Sequence, residues 1–369
     1  MLKFFYMLLF VLLMLSNVSY TAPQSKRIHT RVLLGSDLIY KISLKDPYSI
    51  IVNNKKVLYK GNLDIRFHKQ GIVLNNKLLT TQCIKVLGTT SFSVNNRAYR
   101  GSFVIYREKD NLNFVNIVEL EQYLLSVVPS EIYKSWNHET LKAQAVAART
   151  YALYEMKNSR QNKNRNFDLF ADTRSQVYNG IKEEYKNTSK AVRATEGQVL
   201  TYKGALIKSY FSSSIGGMSA AGHEIGDNKP YLNPVKSYYS KQNPNNIWAI
   251  KIPLKKIQQQ YKTTQIKSVD VSSRSPSGRI NKINIKDSRG KITSISGYQF
   301  REKMGATNMK STRAKITVSK SGNLIIKGTG YGHGVGMGQW EAQELAQRGA
   351  GYSQILKYFY QGTRLQKLY

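Results

Sequence analysis

Short runs of alternating apolar and polar residues dominate the chain from about residue 31 to residue 118. They include IYKISL, SIIVNN, GIVLNN and RGSFVIY, and Asn-Asn, Gly or Asp-Pro separates them. Alternation with a period of two predicts strands buried on one face, and the separators favour turns. The pattern therefore predicts a β-rich N-terminal region, in which we identify no ligand-binding motif.

The alternation changes in LNFVNIVELEQYLLSVV, which is mostly apolar from Tyr123 to Val128 and stops at Pro129. This pattern predicts a strand that leads into a helical turn, followed by a short polar turn that presents Glu131. A carboxylate between a buried segment and a tightly packed helix can be partly desolvated, as a general acid requires. Acidic residues are also common at helix starts, where they stabilise the helix dipole. The local pattern leaves both roles of Glu131 open.

A long Ala-rich helix is predicted after this turn, from an N-cap at Asn137 to about Asn158. Small side chains recur along one face of it, which lets a neighbouring element approach closely. Gln144 and Arg149 interrupt the otherwise apolar pattern, and a buried charge needs a partner or a ligand. Arg149 is therefore either half of a structural ion pair or a group that clamps the substrate.

The remainder of the chain mixes helices and strands. Asp172 and Gln176 are candidates for chemistry in the loop that follows the Ala-rich helix. A helix over 185–195 and a strand pair hinged at Lys203-Gly204 come next, and residues 248–327 form a second β-rich stretch. These elements predict an α+β fold with mixed sheets, in which the Ala-rich helix forms one wall of a substrate cleft.

Glycine occupies every second position from Gly328 to Gly338, between a predicted strand and a predicted helix. The spacing is GxGxGxG rather than GxGxxG, and no acidic residue follows Glu344 to contact a ribose, which argues against a dinucleotide site. Such a segment permits close backbone packing, with His333 and Gln339 projecting from it. A histidine flanked by glycines has little side-chain packing, so His333 is expected to belong to a site.

A formal net charge of +34 and a pI of about 10.0 predict an anionic partner, unless they reflect only an A/T-rich genome, which favours Lys, Asn and Tyr codons. A single cysteine, Cys83, excludes an intramolecular disulfide and a Cys-based zinc cluster. The basic residues are scattered and no zinc-finger spacing is present, which argues against nucleic acid. We expect no metal and no cofactor, and an anionic membrane surface or the carboxylate-bearing polymers of a cell wall stay as candidate partners.

The N-terminus has the order of a secretory signal peptide. Lys3 supplies one positive charge, 4–15 form an unbroken apolar run, and small and polar residues follow as far as Ala22. The apolar run is too short to cross a bilayer comfortably. Pro23 is unfavourable after a cleavage site, so the segment is either a cleaved signal or an uncleaved anchor. We expect the protein to act outside the cytoplasm, as a secreted, periplasmic or wall-associated protein.

Nine segments of the chain, some of them described above, follow one another in an order that points to a protein family. They are YLLSVVPSEI, LKAQAVAARTYAL, FDLFADTRSQVYNG, KSYFSSSIGGMS, PYLNPV, SGRINKINI, ISGYQFREKMGA, GYGHGVGMGQWEAQELAQRG and ILKYFYQGTRL. Together they resemble the family of stage II sporulation protein D and the amidase enhancer LytB. The resemblance covers about residues 100–369. The predicted units are a signal peptide at 1–22, a β-rich region at 23–118 and a catalytic region at 119–369 that contains the 248–327 subdomain.

The resemblance implies a secreted lytic transglycosylase that cleaves peptidoglycan glycan strands, preferably strands already stripped of peptides by an amidase. It assigns Glu131, in the PSE segment, as the catalytic acid. An amidase and other cell-wall proteins are the implied protein partners. The residues expected to contact the substrate are Ser130, Gln144, Arg149, Tyr151, Gln176, Ser213, His333 and Gln339.

The chain departs from the pattern of its relatives at three places. Many relatives have proline near the catalytic glutamate and before the Ala-rich helix, where this chain has Tyr133 and Asn137. Glu341 replaces a glycine that is usual after the Gln-Trp pair. Some relatives have a Cys-and-His zinc site near the DTR-QVY segment, but this chain has no cysteine there, so zinc is not expected.

The chemistry agrees with the implied reaction. A glycoside hydrolase ordinarily needs two carboxylates. A lytic transglycosylase manages with one, because the substrate's own C6 hydroxyl attacks C1 and forms a 1,6-anhydro end. Only Glu131 lies in a convincing constellation, although Glu139 and Asp172 leave hydrolysis open. A non-catalytic, amidase-enhancing wall-binding protein and a purely structural wall anchor are the alternatives.

Overall fold

The computed structural model of the chain describes residues 27–162, 164–237 and 242–369. The predicted signal peptide lies outside these residues. Among the helices of the described part, none is long and apolar enough to cross a membrane. The fold is α+β, as the sequence predicts.

Twelve strands form the N-terminal region, which confirms its predicted β-rich character. They are β1 (His29–Asp37), β2 (Ile39–Ser43), β3 (Tyr48–Val52), β4 (Lys55–Tyr59), β5 (Leu63–His68), β6 (Gly71–Leu74), β7 (Lys77–Leu79), β8 (Cys83–Leu87), β9 (Ser91–Val94), β10 (Arg97–Arg100), β11 (Ser102–Glu108) and β12 (Asn111–Glu119). Three hairpins turn at Asn-Asn pairs whose φ angles are all positive, from 46° to 66°. Asparagine tolerates this left-handed conformation, which matches the twist of paired strands.

The strands build two sheets. One has seven strands in the order β13-β1-β12-β11-β8-β3-β4, where β13 (Leu169–Phe170) pairs in parallel with β1. The other has six strands in the order β10-β9-β2-β5-β6-β7. Their buried side chains form one hydrophobic core with those of the first helices, extending as far as Val199. The boundary predicted at residue 118 therefore lies within a continuous core.

Two helices follow β12 and carry the proposed catalytic segment. They are α1 (Leu120–Glu131) and α2 (His138–Gln161). The prediction that a short polar turn after Pro129 presents Glu131 is wrong, because α1 continues through Pro129 and ends at Glu131. Pro129 lies in the last turn, where its missing N–H costs one hydrogen bond, and the buried Val127 and Val128 hold that turn in the core.

The long helix α2 begins as predicted and extends three residues beyond its predicted end. The Asn137 side chain accepts a hydrogen bond from the backbone N–H of Glu139 at 2.9 Å, as an N-cap does. The alanines at 145, 148 and 152 are completely buried in the first core. Ala143 and Ala147 face a second core on the other side of the helix.

The remaining elements complete that second core and add a third. They are α3 (Lys186–Ala194), β14 (Gln198–Tyr202), β15 (Ala205–Leu206), β16 (Phe211–Ser212), β17 (Trp248–Pro253), α4 (Leu254–Tyr261), β18 (Ile266–Arg274), β19 (Ile280–Asp287), β20 (Ile292–Ser296), α5 (Gly297–Met304), β21 (Ala314–Val318), β22 (Asn323–Gly328), β23 (Met337–Gly338), α6 (Gln339–Gln347), α7 (Tyr352–Phe359) and β24 (Arg364–Lys367). Elements β17 to β22, with α4 and α5, enclose the third core. The predicted hinge at Lys203-Gly204 joins β14 to β15 with positive φ at both residues.

Candidate active site

Glu131 lies at the C-terminal end of α1 and is half-buried. Its Oε1 accepts a hydrogen bond from the backbone N–H of Val177 at 2.6 Å. Burial raises the pKa of this carboxyl from an ordinary 4.5 to about 7, although the Val177 hydrogen bond opposes the rise. A substantial fraction of Glu131 is therefore protonated at neutral pH, which is the state that a general acid needs.

Gln176 fixes the backbone that contacts Glu131. Its Oε1 accepts a hydrogen bond from the Tyr123 hydroxyl at 3.2 Å, and its Nε2 donates to the Ala148 carbonyl at 3.2 Å. Gln176 thereby links α1, α2 and the loop that carries Val177, and it is completely buried. It thereby supports the loop whose Val177 N–H contacts Glu131, and a direct contact from Gln176 to a substrate stays a prediction.

Three aromatic rings lie beside the turn that follows Glu131. The ring centroid of Trp340 lies 5.6 Å from that of Tyr133 and 4.6 Å from that of Trp136, and Tyr133 and Trp136 are 5.1 Å apart. Tyr133 is 56% exposed, whereas Trp340 is buried. Sequence reasoning missed this cluster, because Trp340 is about 200 residues away from the other two. The signal available in the sequence was the presence of Tyr133 and Trp136 shortly after the proposed catalytic Glu131.

Asn137 holds the other end of this turn, at a position where the family resemblance leads us to expect proline. Its backbone N–H donates to Gln343 Oε1 at 3.1 Å, and the same oxygen accepts from the Thr140 hydroxyl at 2.8 Å. A proline has no N–H and could not donate this hydrogen bond. The contacts to α6 and the cap of α2 therefore fix the turn without proline.

Arg149 forms a structural ion pair, which is the first of the two roles that its sequence pattern left open. Its guanidinium is completely buried and pairs with both oxygens of Glu121, at 2.7 and 2.8 Å. It also donates to the carbonyls of Val192 and Gln198, each at 3.2 Å. The role as a substrate clamp is wrong for this structure, because every nitrogen of the group is bound to the protein and none reaches the surface.

Gln144 and Gln339 lie together in the interior. Gln339 Nε2 donates to Gln144 Oε1 at 3.4 Å, and both side chains are buried. The Nε2 atom of Gln144 has no hydrogen-bond partner in the described part of the chain. The pair connects α2 to the start of α6, and a substrate contact from either residue stays a prediction.

The alternating glycines bring their segment against residues 211–220, which confirms the predicted close backbone packing. Strands β16 and β23 pair in parallel, and isolated bridges join Ser214 to Tyr331 and Ala220 to Val335. A Cβ atom on Gly336 would lie 2.1 Å from the Tyr210 carbonyl oxygen. Only glycine fits at this distance.

His333 uses both ring nitrogens within this packing. Its Nδ1 accepts from the backbone N–H of Val335 at 3.0 Å, and Nε2 lies 3.0 Å from the Phe211 carbonyl, to which it donates. Burial and the nearby guanidinium of Arg301 lower its pKa to about 4, with a smaller contribution from Arg279. His333 is therefore neutral at physiological pH and is not poised to donate a proton to a substrate.

The other expected contacts are distributed around the same region. The Ser130 hydroxyl donates to the Ser126 carbonyl at 2.8 Å, within α1. The Tyr151 ring is buried, with its centroid 6.2 Å from that of Tyr210. Ser213 is half-buried, and its carbonyl accepts from the Trp340 N–H at 3.0 Å. Direct contacts from these three residues to a substrate stay predictions.

Glu139 and Asp172, the two carboxylates that left hydrolysis open, both form ion pairs with neighbouring side chains. Glu139 pairs with Lys142 at 2.8 Å and accepts from the Tyr352 N–H at 2.8 Å. Asp172 pairs with Arg174 at 2.7 Å on an exposed loop. Across 27–162, 164–237 and 242–369, no group of three His, Cys, Asp or Glu side chains is arranged to hold a metal ion.

Comparison with known proteins gives two family matches and several relatives. A model described as "Stage II sporulation protein" matches residues 108–202, and a domain of unknown function matches residues 236–336. An uncharacterized protein of Brachyspira hyodysenteriae is 30% identical over 344 residues, which cover 88% of this chain and 89% of that protein. Stage II sporulation protein D of Bacillus amyloliquefaciens is 30% identical, over 72% of this chain and 79% of that protein.

The amidase enhancer of Bacillus subtilis is also similar. It is 33% identical over 293 residues, which cover 66% of this chain. The matched region spans only 40% of the amidase enhancer, so the rest of that protein has no counterpart in the alignment.

Proposed function

The chain belongs to the stage II sporulation protein D family, and from this premise we propose that it is a lytic transglycosylase that cleaves peptidoglycan glycan strands. The names of its relatives support a role related to the cell wall, outside the cytoplasm or at the membrane. The observation that carries the proposal is Glu131, a carboxyl with a pKa of about 7 held at a defined position by the Val177 N–H.

The reaction needs one group that first gives and then takes a proton. Protonated Glu131 donates its proton to the glycosidic oxygen as the bond from C1 to that oxygen breaks. The resulting carboxylate accepts the proton of the C6 hydroxyl on the same sugar, whose oxygen forms the new bond to C1. The products are a strand with a free hydroxyl and a strand with a 1,6-anhydro end, and Glu131 is again protonated. A pKa near the working pH suits both steps.

The aromatic cluster beside Glu131 supports a sugar substrate. Flat apolar faces of sugars pack on aromatic rings, and Tyr133 presents an exposed ring two residues beyond the proposed acid. Trp136 and Trp340 both pack against that ring, with centroids at 5.1 and 5.6 Å. We propose that Tyr133, Trp136 and Trp340 form one wall of the cleft, with the start of α2 behind them.

The test is to incubate the purified protein with intact strands and with peptide-stripped strands, and to identify the ends by mass spectrometry. We expect anhydro ends from the wild type and none from Glu131→Gln. Glu139→Gln is the matched control, since it removes a nearby carboxylate that is already paired with Lys142, and it should retain activity. Tyr133→Ala should raise KM by roughly two- to tenfold, as the loss of one aromatic contact predicts.

Two results would replace the proposal. Reducing ends without anhydro sugar would indicate hydrolysis and a second carboxylate. If the protein forms no products but stimulates a purified amidase on intact wall, its function is that of an amidase enhancer, which is the name of one of its relatives. That second function is favoured only by the similarity to this relative, because a binding protein does not need a carboxyl with a raised pKa.

A further inference from the structure

The part of the chain that encloses the third core is strongly basic. Residues 248–327 contain 18 Lys and Arg but only 3 Asp and Glu, so they carry +15 of the net charge of +34 in about a fifth of the length. A genome that favours lysine codons acts on the whole chain and does not account for this concentration. A local excess of positive charge of this size points to an anionic partner that binds here.

The arginines of this part are bound within the protein. Four of them donate hydrogen bonds to backbone carbonyls, namely Arg274, Arg279, Arg301 and Arg313. The guanidinium of the fifth, Arg289, lies 4.0 Å from the carboxylate of Asp287. The charges that remain available to a partner are therefore those of the lysines.

Three of these lysines lie on one face of the sheet β17-β22-β21. Lys327 lies directly opposite Lys315, and Lys251 lies opposite the residue two positions before Lys327 on β22. Because opposed side chains share a face and alternate residues return to it, all three lysines point the same way. They are exposed, whereas Trp248 and Ile326 on the opposite face are buried in the third core. We call the outer surface the lysine face, which consists of Ala249, Lys251, Lys315, Thr317, Ile325 and Lys327.

The opposed pair of Lys327 and Lys315 costs stability in the folded chain. Directly opposed side chains have Cβ atoms about 5 Å apart, and like charges at this distance repel. The lysine face carries no Asp or Glu that could offset the repulsion. Lysines on edge strands protect a sheet from pairing with another chain, but Lys327 lies on the central strand β22. The isolated fold thus gives no reason for this pair, whereas a bound anion would remove its repulsion.

A groove adjoins the lysine face along the edge strand β17. It has about 660 Å³ of empty space, part of it open to solvent, and Lys251 lines it together with Lys256 of α4 and Asn308. Its apolar lining comes from Ile250, Ile252, Pro253 and Met304. Lys251 therefore belongs to both surfaces, so one extended ligand can pass from the face into the groove.

We propose that the lysine face and this groove bind a flexible linear polyanion of the cell wall, with one anionic group in each repeating unit. The ammonium group of lysine acts as a point charge that accepts anions at variable positions, whereas the planar fork of arginine favours one fixed geometry. A bilayer is a less suitable partner, because none of the six residues of the lysine face is an exposed large apolar side chain that could insert into it. Such a surface keeps the protein on the wall while its candidate active site meets glycan strands.

The test measures binding of a synthetic glycerol phosphate oligomer to the purified protein by calorimetry at low salt. Monomeric glycerol phosphate lacks the repeat, a galacturonate oligomer of equal charge has carboxylates, and vesicles of phosphatidylglycerol present the phosphates on a bilayer. We expect saturable binding of both oligomers, with Kd values within about fivefold of each other, because a point charge does not distinguish the two anions. The monomer and the vesicles should bind at least about tenfold more weakly at equal charge concentration.

Two triple variants with the same loss of charge locate the binding surface. Replacing Lys251, Lys315 and Lys327 by Gln should weaken oligomer binding about tenfold or more and reduce the slope of log K against log salt by about 2. This variant should unfold at a urea concentration no lower than that of the wild type, because it relieves the opposed charges. The control replaces the exposed lysines of the β3–β4 hairpin, Lys55, Lys56 and Lys60, by Gln and should change the Kd less than about threefold.

Each contrary result overturns a different part of the inference. Equal losses of binding in the two triple variants would mean that net charge alone attracts the polymer and would overturn the lysine face. Tighter binding to the vesicles than to either oligomer would overturn the choice of a wall polymer over a bilayer. A strong preference for one oligomer would overturn recognition by point charges. None of these measurements depends on cleavage, so they decide the inference whether or not Glu131 acts as the proposed acid.

Discussion

Replacing Glu131 by Gln should stabilise the protein at alkaline pH and leave its stability unchanged at acidic pH. Glutamine keeps the size of the side chain and an oxygen that accepts the Val177 hydrogen bond, but it has no charge to bury. Raising a pKa from 4.5 to about 7 corresponds to roughly 3 kcal/mol of free energy that the folded state loses when the group ionises.

The sign of the effect follows from the direction of the pKa shift. Below pH 4.5 the carboxyl is protonated in both the folded and the unfolded chain, so its ionisation makes no difference. Between pH 4.5 and 7 the unfolded chain ionises first, and the wild type loses stability as the pH rises. Above pH 7 the full difference is present, and Glu131→Gln should exceed the wild type by roughly 3 kcal/mol in its free energy of unfolding.

The assay is urea unfolding of both proteins at pH 4, 6 and 8, at constant ionic strength. Glu139→Gln is a control of opposite sign. Burial tends to raise the pKa of Glu139, but hydrogen bonds from Lys142 and the Tyr352 N–H lower it overall. That variant should therefore be less stable than the wild type at neutral pH, with the difference vanishing in acid. Parallel stability curves for Glu131→Gln and the wild type would refute a raised pKa, and with it the poised general acid.

Two further predictions concern buried contacts. Arg149→Met should lower the free energy of unfolding by about 3–5 kcal/mol because it leaves the carboxylate of Glu121 unpaired. Adding Glu121→Gln to the same chain should restore part of the loss. An Arg149→Met protein of unchanged stability but weakened glycan binding would contradict the structural role. Gly334→Ala should cost roughly 2–5 kcal/mol, since its φ is +79° and the new Cβ would lie 2.1 Å from Arg279. Gly349→Ala, also at positive φ but facing open space, should cost only about 1–2 kcal/mol in the same urea experiment, and equal losses would contradict the close packing.

Local patterns predicted the elements well, because their causes are local. The Asn-Asn pairs specify hairpin turns by their own conformational preference, and Asn137 caps α2 through a contact two residues away. The end of α1 differs from the prediction because burial of Val127 and Val128 outweighs the helix-breaking tendency of Pro129.

The environment of the site depends on partners that are remote in sequence, and these were harder to predict. The partner of Arg149 is 28 residues earlier, and its carbonyl contacts are more than 40 residues later. The sequence therefore left its ion pair and its substrate role equally open. His333 was expected to project into a site, but the backbone at 211 and 335 occupies both of its ring nitrogens. The sequence was sufficient to select Glu131 as a candidate acid. Its raised pKa could not be predicted, because the pKa depends on how deeply the folded chain buries the carboxyl.

The contacts of the turn after Glu131 have a consequence for the order in which the chain folds. Its end is fixed by Gln343 through Asn137, and the first turn of α2 is fixed by the Tyr352 N–H through Glu139, across 206 and 213 residues of chain. During synthesis from the N-terminus, these partners appear long after Glu131 itself. The first core can form earlier, because its residues end at about position 199. The proposed catalytic turn is therefore completed late, and a nascent or prematurely terminated chain lacks the two contacts that fix it.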